Sequence, residues 1–161
     1  MAKPEKKTNA MRMLDTAGVD YGVRIYELDD DEFSGQAVSR LTGIPADRCF
    51  KTLCARGARH GIIVFVIPVS GELDLKAAAN AANEKAVELV HTKELMELTG
   101  YVRGGVSPVG MKKAYPTYFD ETAMLFDTIS ISAGAKGCSL VIDPQKVLEY
   151  LNAEYAPLTR E

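Results

Sequence analysis

The 161-residue chain has no tryptophan, only two histidines and only three cysteines. Each scarcity removes a class of chemistry. His60 and His91 stand alone, with no HExxH run and no paired-cysteine spacing, so the sequence offers no familiar zinc site. A Ser-His-Asp triad would need one of those two histidines, and no GxSxG elbow accompanies them. Cys49, Cys54 and Cys138 make an odd count without CxxC spacing, which points to reduced thiols in a cytosolic compartment. All three fall in expected strands, where a core thiol is the simpler reading than a nucleophile. Neither GxGxxG nor GxxxxGKS is present, so no nucleotide cofactor is expected.

Long apolar runs are missing too. None approaches the ~18 residues that cross a bilayer, so no membrane partner is expected. The opening residues, 1–7, are charged and lack an apolar core segment, so they read as a mobile tail and not as a secretory signal. There is also no excess of one charge: 19 Lys and Arg face 22 Asp and Glu, a net of −3. Such a chain has no global field for tight, independent nucleic-acid binding. A polynucleotide partner would have to be met through a local patch or with another protein's help.

Hydrophobic content of 47% and charged content of 25% fit an ordinary globular protein. The length fits one domain, here residues 8–161, able to bury about 70% of its unfolded surface. Thr8 and Gly18 bracket a helix whose apolar stripe is expected at Ala10, Met13, Leu14 and Ala17. Tyr21, Val23 and Ile25 alternate as a half-buried strand, which puts Tyr26 on the outward face with Arg24. Asp29-Asp30-Asp31-Glu32 precedes a second helix over 34–42, where its charge favours the helix N-terminus. Residues 49–55 and 62–68 form a hairpin, and the second of these strands is apolar throughout, as a strand buried on both faces would be.

Asp74 caps an alanine-rich helix, 85–90 reads as a strand, and Thr92 opens a short helix to Thr99. Tyr115 to Asp120 is a strand with an entry proline. Over 128–133, Ile129, Ile131 and Ala133 alternate with Ser130 and Ser132, a core face against a hydroxyl face. Residues 134–137 turn into the strand 138–142, and Asp143-Pro144 starts the last helix. The tally is a mixed α/β, or α+β, single domain with hairpins and crossovers.

Between Gly100 and Lys113 the chain carries four glycines and Pro108, too many for a regular element. Tyr101, Val102 and Val106 anchor it, so it reads as a shaped loop. Tandem glycines can aim successive N–H groups at a carbonyl oxygen or oxyanion, or can merely avoid clashes. Lys51 interrupts an apolar strand, as an edge residue that snorkels or as a cation aimed into a cleft. A lysine, a glycine loop and hydroxyls suit the orientation of an ester better than strong acid–base chemistry.

Four ordered motifs carry a resemblance. Phe50-Lys51-Thr52-Leu53, Gly71-Glu72-Leu73-Asp74-Leu75-Lys76, the run from Gly100 to Pro108, and Ser132-Ala133-Gly134 are similar to the YbaK/EbsC branch of the prolyl-tRNA synthetase editing-domain superfamily. The resemblance covers nearly the whole chain. It implies a mixed sheet curling into a partial barrel, surrounded by helices. It also implies a cytoplasmic, cofactor-free and metal-free deacylase that clears cysteine from proline tRNA, in transient complex with prolyl-tRNA synthetase. Lys51 falls on the family's essential lysine, and Gly104 and Gly105 on the loop that receives the aminoacyl carbonyl. Tyr26, Phe50, Thr52, Ser107, Pro108, Ser132 and Gly134 fall on substrate-binding positions. Ser139 departs from the pattern, because relatives often carry an acid there. Cys-tRNA for cysteine itself is a further substrate of this reading. A deacylase for another mischarged residue, such as Ala-tRNA(Pro), and a non-catalytic aminoacyl-tRNA or synthetase-binding module remain alternatives.

Overall fold

Short helices with local start and stop signals surround one long apolar hairpin. A computed structural model of the protein describes residues 7–28 and 35–160. The acidic run Asp29 to Glu32, Ser34 and the tail before Lys7 lie outside these residues. Lys7 itself is ion-paired with Asp15.

Helix α1 (Asn9–Ala17) begins where the Thr8 hydroxyl accepts the Met11 N–H at 3.2 Å, and ends at Gly18, whose φ is +73°. Its buried stripe is Ala10, Met11 and Leu14. Met13, expected in that stripe, is 38% exposed, because Met11 takes the inward position instead. Strand β1 (Tyr21–Ile25) and helix α2 (Gly35–Thr42) follow. The hairpin is β2 (Phe50–Gly57) and β3 (Gly61–Pro68), in register from Phe50 opposite Pro68 to Gly57 opposite Gly61. Then come β4 (Glu72–Leu73), α3 (Leu75–Ala81) under its Asp74 cap, β5 (Val87–Leu89), a 3-10 turn (Thr92–Glu94) and α4 (Leu95–Thr99). After the glycine loop the chain forms β6 (Thr117–Asp120), a 3-10 segment (Glu121–Leu125), β7 (Ile129–Ala135) and β8 (Cys138–Ile142). It ends with α5 (Pro144–Leu151), β9 (Glu154–Ala156) and β10 (Thr159–Arg160).

The strands make a five-stranded mixed sheet, β5-β2-β3-β6-β9, a three-stranded antiparallel sheet, β1-β8-β7, and a small β10-β4 pair. The two larger sheets touch through a parallel bridge between Cys49 and Ser130, where Ser130 N–H donates to the Arg48 carbonyl at 2.9 Å. Among the described residues they do not close into a barrel. Strand β3 is buried on both faces, as its composition requires. Val64 and Val66 enter a core shared with α1, β7 and β8, and Ile63, Phe65 and Ile67 enter a second core under α3. Ala78, Ala79 and Ala82 let α3 lie close against that face. Each large side chain so buried stabilises the fold by roughly 1.5–3 kcal/mol.

The terminal strands β9 and β10 were not expected from the sequence. Asp120, 1% exposed, holds them: its carboxylate accepts the Leu158 N–H at 2.9 Å and the Thr122 N–H at 3.2 Å.

Glu84 has a similar task at the hairpin turn. Its buried carboxylate accepts the Arg59 N–H at 2.9 Å, the His60 N–H at 2.6 Å, and pairs with His60 Nδ1 at 2.8 Å. Burial alone pushes this carboxyl up, but the two main-chain donors and the ring outweigh it and hold it below the ordinary 4.5. A depressed folded value stabilises the fold above the unfolded value, and that contribution is lost as pH falls through the folded one. Glu84→Gln should therefore lower the melting temperature at pH 7, and the gap to wild type should close as pH falls below 4.5. Melting curves across that range check it. A gap independent of pH would contradict the ionised cap.

Candidate active site

Strand β2 has two edges, and the second is shared. On the first, β3 pairs along its whole length. On the second, β5 pairs only with Ala55 to Gly57, extended by Val90 N–H to the Cys54 carbonyl at 3.0 Å. At the other end the same edge meets β7, but only at the Cys49–Ser130 bridge. From there β2 and β7 diverge. The gap between β5 and β7 is a cleft of about 440 Å³. It runs along a strand edge, so consecutive residues from Cys49 to Cys54 all line it.

Of the residues expected at a site, the cleft gathers Tyr26, Phe50, Lys51, Thr52, Gly104 and Ser132. Lys51 is half-buried with no hydrogen bond or ion pair to another described residue, so its ammonium is available to a ligand. Tyr26 turns inward, against the outward placement expected from strand alternation, while its neighbour Ile25 is 40% exposed. The strand ends at Ile25, so alternation does not extend to Tyr26. Its hydroxyl bonds Ser139 Oγ at 2.9 Å, across β1 and β8. Burial pushes the Tyr26 phenol up, partly offset by that bond, so it is a neutral hydroxyl at pH 7. Ser130 and Ser132 do lie opposite the core face of β7, but that face looks into the cleft and not into solvent.

Four expected residues are not among those lining the cleft: Gly105, Ser107, Pro108 and Gly134. The loop wraps around Tyr101, whose hydroxyl donates to the Val109 carbonyl, and this turns Ser107 and Pro108 inward. Ser107 is fully buried and its Oγ accepts the Val109 N–H at 3.2 Å. Gly134 makes room for the Tyr101 ring, which a Cβ would approach to 2.8 Å. Gly105 donates to the Val102 carbonyl at 2.9 Å, closing a turn, so its N–H is not free for an oxyanion. Its role is close approach: a Cβ would stand 3.0 Å from Lys136 N and 3.1 Å from Ala135 C. Gly104, at φ +87°, is the third residue of that turn, as a type II turn requires. Gly104 and Val106 line the cleft, and neither amide donates to another described residue. Of the two glycines expected as donors, Gly104 thus keeps an amide without a partner among the described residues, Gly105 does not, and Val106 has one beside them.

Sequence reasoning missed Val38, Leu89, Thr92, Leu95 and Arg103, which also line the cleft. They come from five separate elements and carry no shared motif. The lining holds two cations, Lys51 and Arg103, and no carboxylate or imidazole among the described residues. Cys49 and Cys54 also line it. Burial pushes the Cys54 thiol up to about 11, and raises Cys49 and Cys138 as well. These are thiols at neutral pH, not thiolate nucleophiles.

Residues 31–150 match the family described as the aminoacyl-tRNA editing domain. The chain belongs to that family. It is 42% identical over 157 residues to EbsC of Enterococcus faecalis, spanning 98% of this chain and 96% of that protein, which is provisionally named a Cys-tRNA(Pro)/Cys-tRNA(Cys) deacylase. A more distant relative is the uncharacterised YwhH of Bacillus subtilis, 23% identical over 78% of this chain and 80% of its own length. Among solved structures, one described as a candidate trans-editing enzyme for prolyl-tRNA synthetase shares the fold with a TM-score of 0.81 and 23% identity, over 98% of this chain and all of that one. A hypothetical protein matches with a TM-score of 0.86 at 22% identity, over 95% and 100%. The editing-domain fold is therefore shared well beyond recognisable sequence.

Two substitutions separate the loop's roles. Gly104→Ala forces a side chain onto a positive φ, at a cost of about 1–2 kcal/mol, and should cut turnover by more than that loss explains. Gly105→Ala should lower the melting temperature by pushing the loop off the β7–β8 hairpin. A folded Gly104→Ala protein with wild-type turnover would contradict the amide's role. Cys54→Ser should cost on the order of 1–3 kcal/mol in stability yet keep turnover. A folded but inactive Cys54→Ser protein would restore covalent catalysis by the enzyme.

Proposed function

We propose that this editing-domain protein deacylates mischarged tRNA in the cytosol, with Cys-tRNA(Pro) as its main substrate and Cys-tRNA(Cys) as a further one, acting in trans beside prolyl-tRNA synthetase. The observation that carries the reading is the cleft itself. It offers a lysine and two main-chain amides without a partner among the described residues, small hydroxyls, and no carboxylate or imidazole among the described lining residues to activate water. The relationship to EbsC supports the choice of cysteine.

Such a lining can orient an ester and stabilise its oxyanion, but it needs a nucleophile. Cysteine carries one. The substrate's thiol sulfur attacks its own ester carbonyl, a carbon–sulfur bond forms, and the bond to the ribose oxygen breaks. The thiol proton ends on that oxygen, leaving tRNA with a free hydroxyl and a cyclic thiolactone that water later opens. The amides of Gly104 and Val106 hold the developing oxyanion, and Lys51 and Tyr26 orient the ester. Chemistry then adds to size in rejecting other amino acids, which a hydrophobic pocket alone does poorly. A mildly acidic protein with only local positive charge releases uncharged tRNA readily, and presentation by the synthetase compensates for weak affinity.

The test uses Cys-, S-methyl-Cys- and Ala-tRNA(Pro) with excess enzyme. Only Cys-tRNA should be cleaved, and Lys51→Ala should abolish that cleavage with little change in melting temperature. Rapid release of S-methylcysteine would mean an activated water, release of alanine would mean a different specificity, and cleavage of none would leave a binding module.

A further inference from the structure

Thr52 stands at the centre of the gap along β2, and its main-chain groups point into it. Antiparallel pairs alternate between hydrogen-bonded and non-hydrogen-bonded. Val69 N–H donates to the Cys49 carbonyl at 2.7 Å, so the odd residues of β2 bond to β3 and the even ones face the second edge. The Val90 bond to Cys54 confirms that phase. Continuing the β5 register by two residues would set Thr92 opposite Thr52, but Thr92 opens a 3-10 turn instead. The N–H and C=O of Thr52 therefore have no strand across from them. Its side chain adds a second unmet group, because Thr52 Oγ1 is shielded from solvent and has no hydrogen-bond partner.

An aminoacyl ester brings an α-amine, which needs acceptors. The cleft lining offers no carboxylate among the described residues. The Tyr26 and Ser139 hydroxyls are bonded to each other, and Ser132 Oγ holds the Gly134 N–H at 3.1 Å. Thr92 is on the exposed rim. Among the buried side-chain nitrogens and oxygens of the described residues, Thr52 Oγ1 alone has no hydrogen-bond partner.

We infer that Thr52, through its main-chain carbonyl and its hydroxyl, forms the subsite that holds the α-amine of the aminoacyl group; this rests on the aminoacyl-ester reading above. Fixing the amine restricts rotation about the bond from Cα to the ester carbonyl, so the carbonyl oxygen meets the loop amides and the side-chain thiol stays near the reacting carbon. The site also discriminates against N-acylated chains, because an amide nitrogen brings one hydrogen and a bulky substituent into a gap closed by β5 and β7. Growing peptidyl-tRNA is thereby spared.

The test compares two non-cleavable ligands, a cysteinyl amide of 3′-amino-3′-deoxyadenosine and its 3-mercaptopropionyl counterpart, which lacks the amine. Wild type should bind the first roughly tenfold more tightly. Thr52→Val should weaken the first several-fold, leave the second unchanged and not lower the melting temperature, and Thr52→Ser should behave as wild type. Equal binding of both ligands, binding of neither, an equal loss for both in Thr52→Val, or a marked fall in its melting temperature each overturns the subsite. Turnover of Cys-tRNA(Pro) by wild type, measured alongside, reports on the deacylase reading separately. Turnover with equal ligand affinities sinks the subsite alone, whereas amine-dependent binding without turnover supports the subsite and sinks the deacylase.

Discussion

The hydrogen bond from Ser130 N–H to the Arg48 carbonyl, 2.9 Å long, is where two sheets meet and where they begin to part. One strand, β2, must satisfy β3 along one edge and two different strands along the other. Strand β5 takes one end of that edge and β7 the other, and neither reaches the middle. A strand edge inside a folded protein normally invites pairing or protection. Here a loop and a short helix roof it, and the enclosed edge is the cleft.

The other parts of the site follow from that geometry. Tandem glycines are needed because the loop must fold around Tyr101, turn tightly at Gly104 and lie against the β7–β8 hairpin at Gly105. The serines of β7, Ser130 and Ser132, line the cleft across from β2. Tyr26 and Ser139 line the cleft as a neutral hydroxyl pair. The result is a cleft lined by amides, hydroxyls and two cations, with no carboxylate or imidazole among the described residues.

Much of this was legible in the sequence wherever a signal is local. Thr8, Asp74 and Asp143 cap helices as their side chains predict. The apolar run of β3 and the alternation of Ile129, Ile131 and Ala133 name their own burial. Legibility failed where position depends on distant partners. Met13 and Met11 are both plausible inward residues, and only the packing of α1 on β7 chooses. Strands β9 and β10 are too short for periodicity and are held by Asp120, some 38 residues before Leu158. Glycines identify the loop as special, but they cannot tell an unengaged amide from one spent on a turn, as the Gly105 N–H is on the Val102 carbonyl.

The most direct test is a crystal structure of the full chain bound to the cysteinyl amide of 3′-amino-3′-deoxyadenosine. The account predicts the aminoacyl group in the gap between β5 and β7, with its carbonyl oxygen within hydrogen-bonding distance of the Gly104 or Val106 amide and its thiol beside the carbonyl carbon. A ligand seated outside that gap, or one whose carbonyl turns away from both amides, would contradict it.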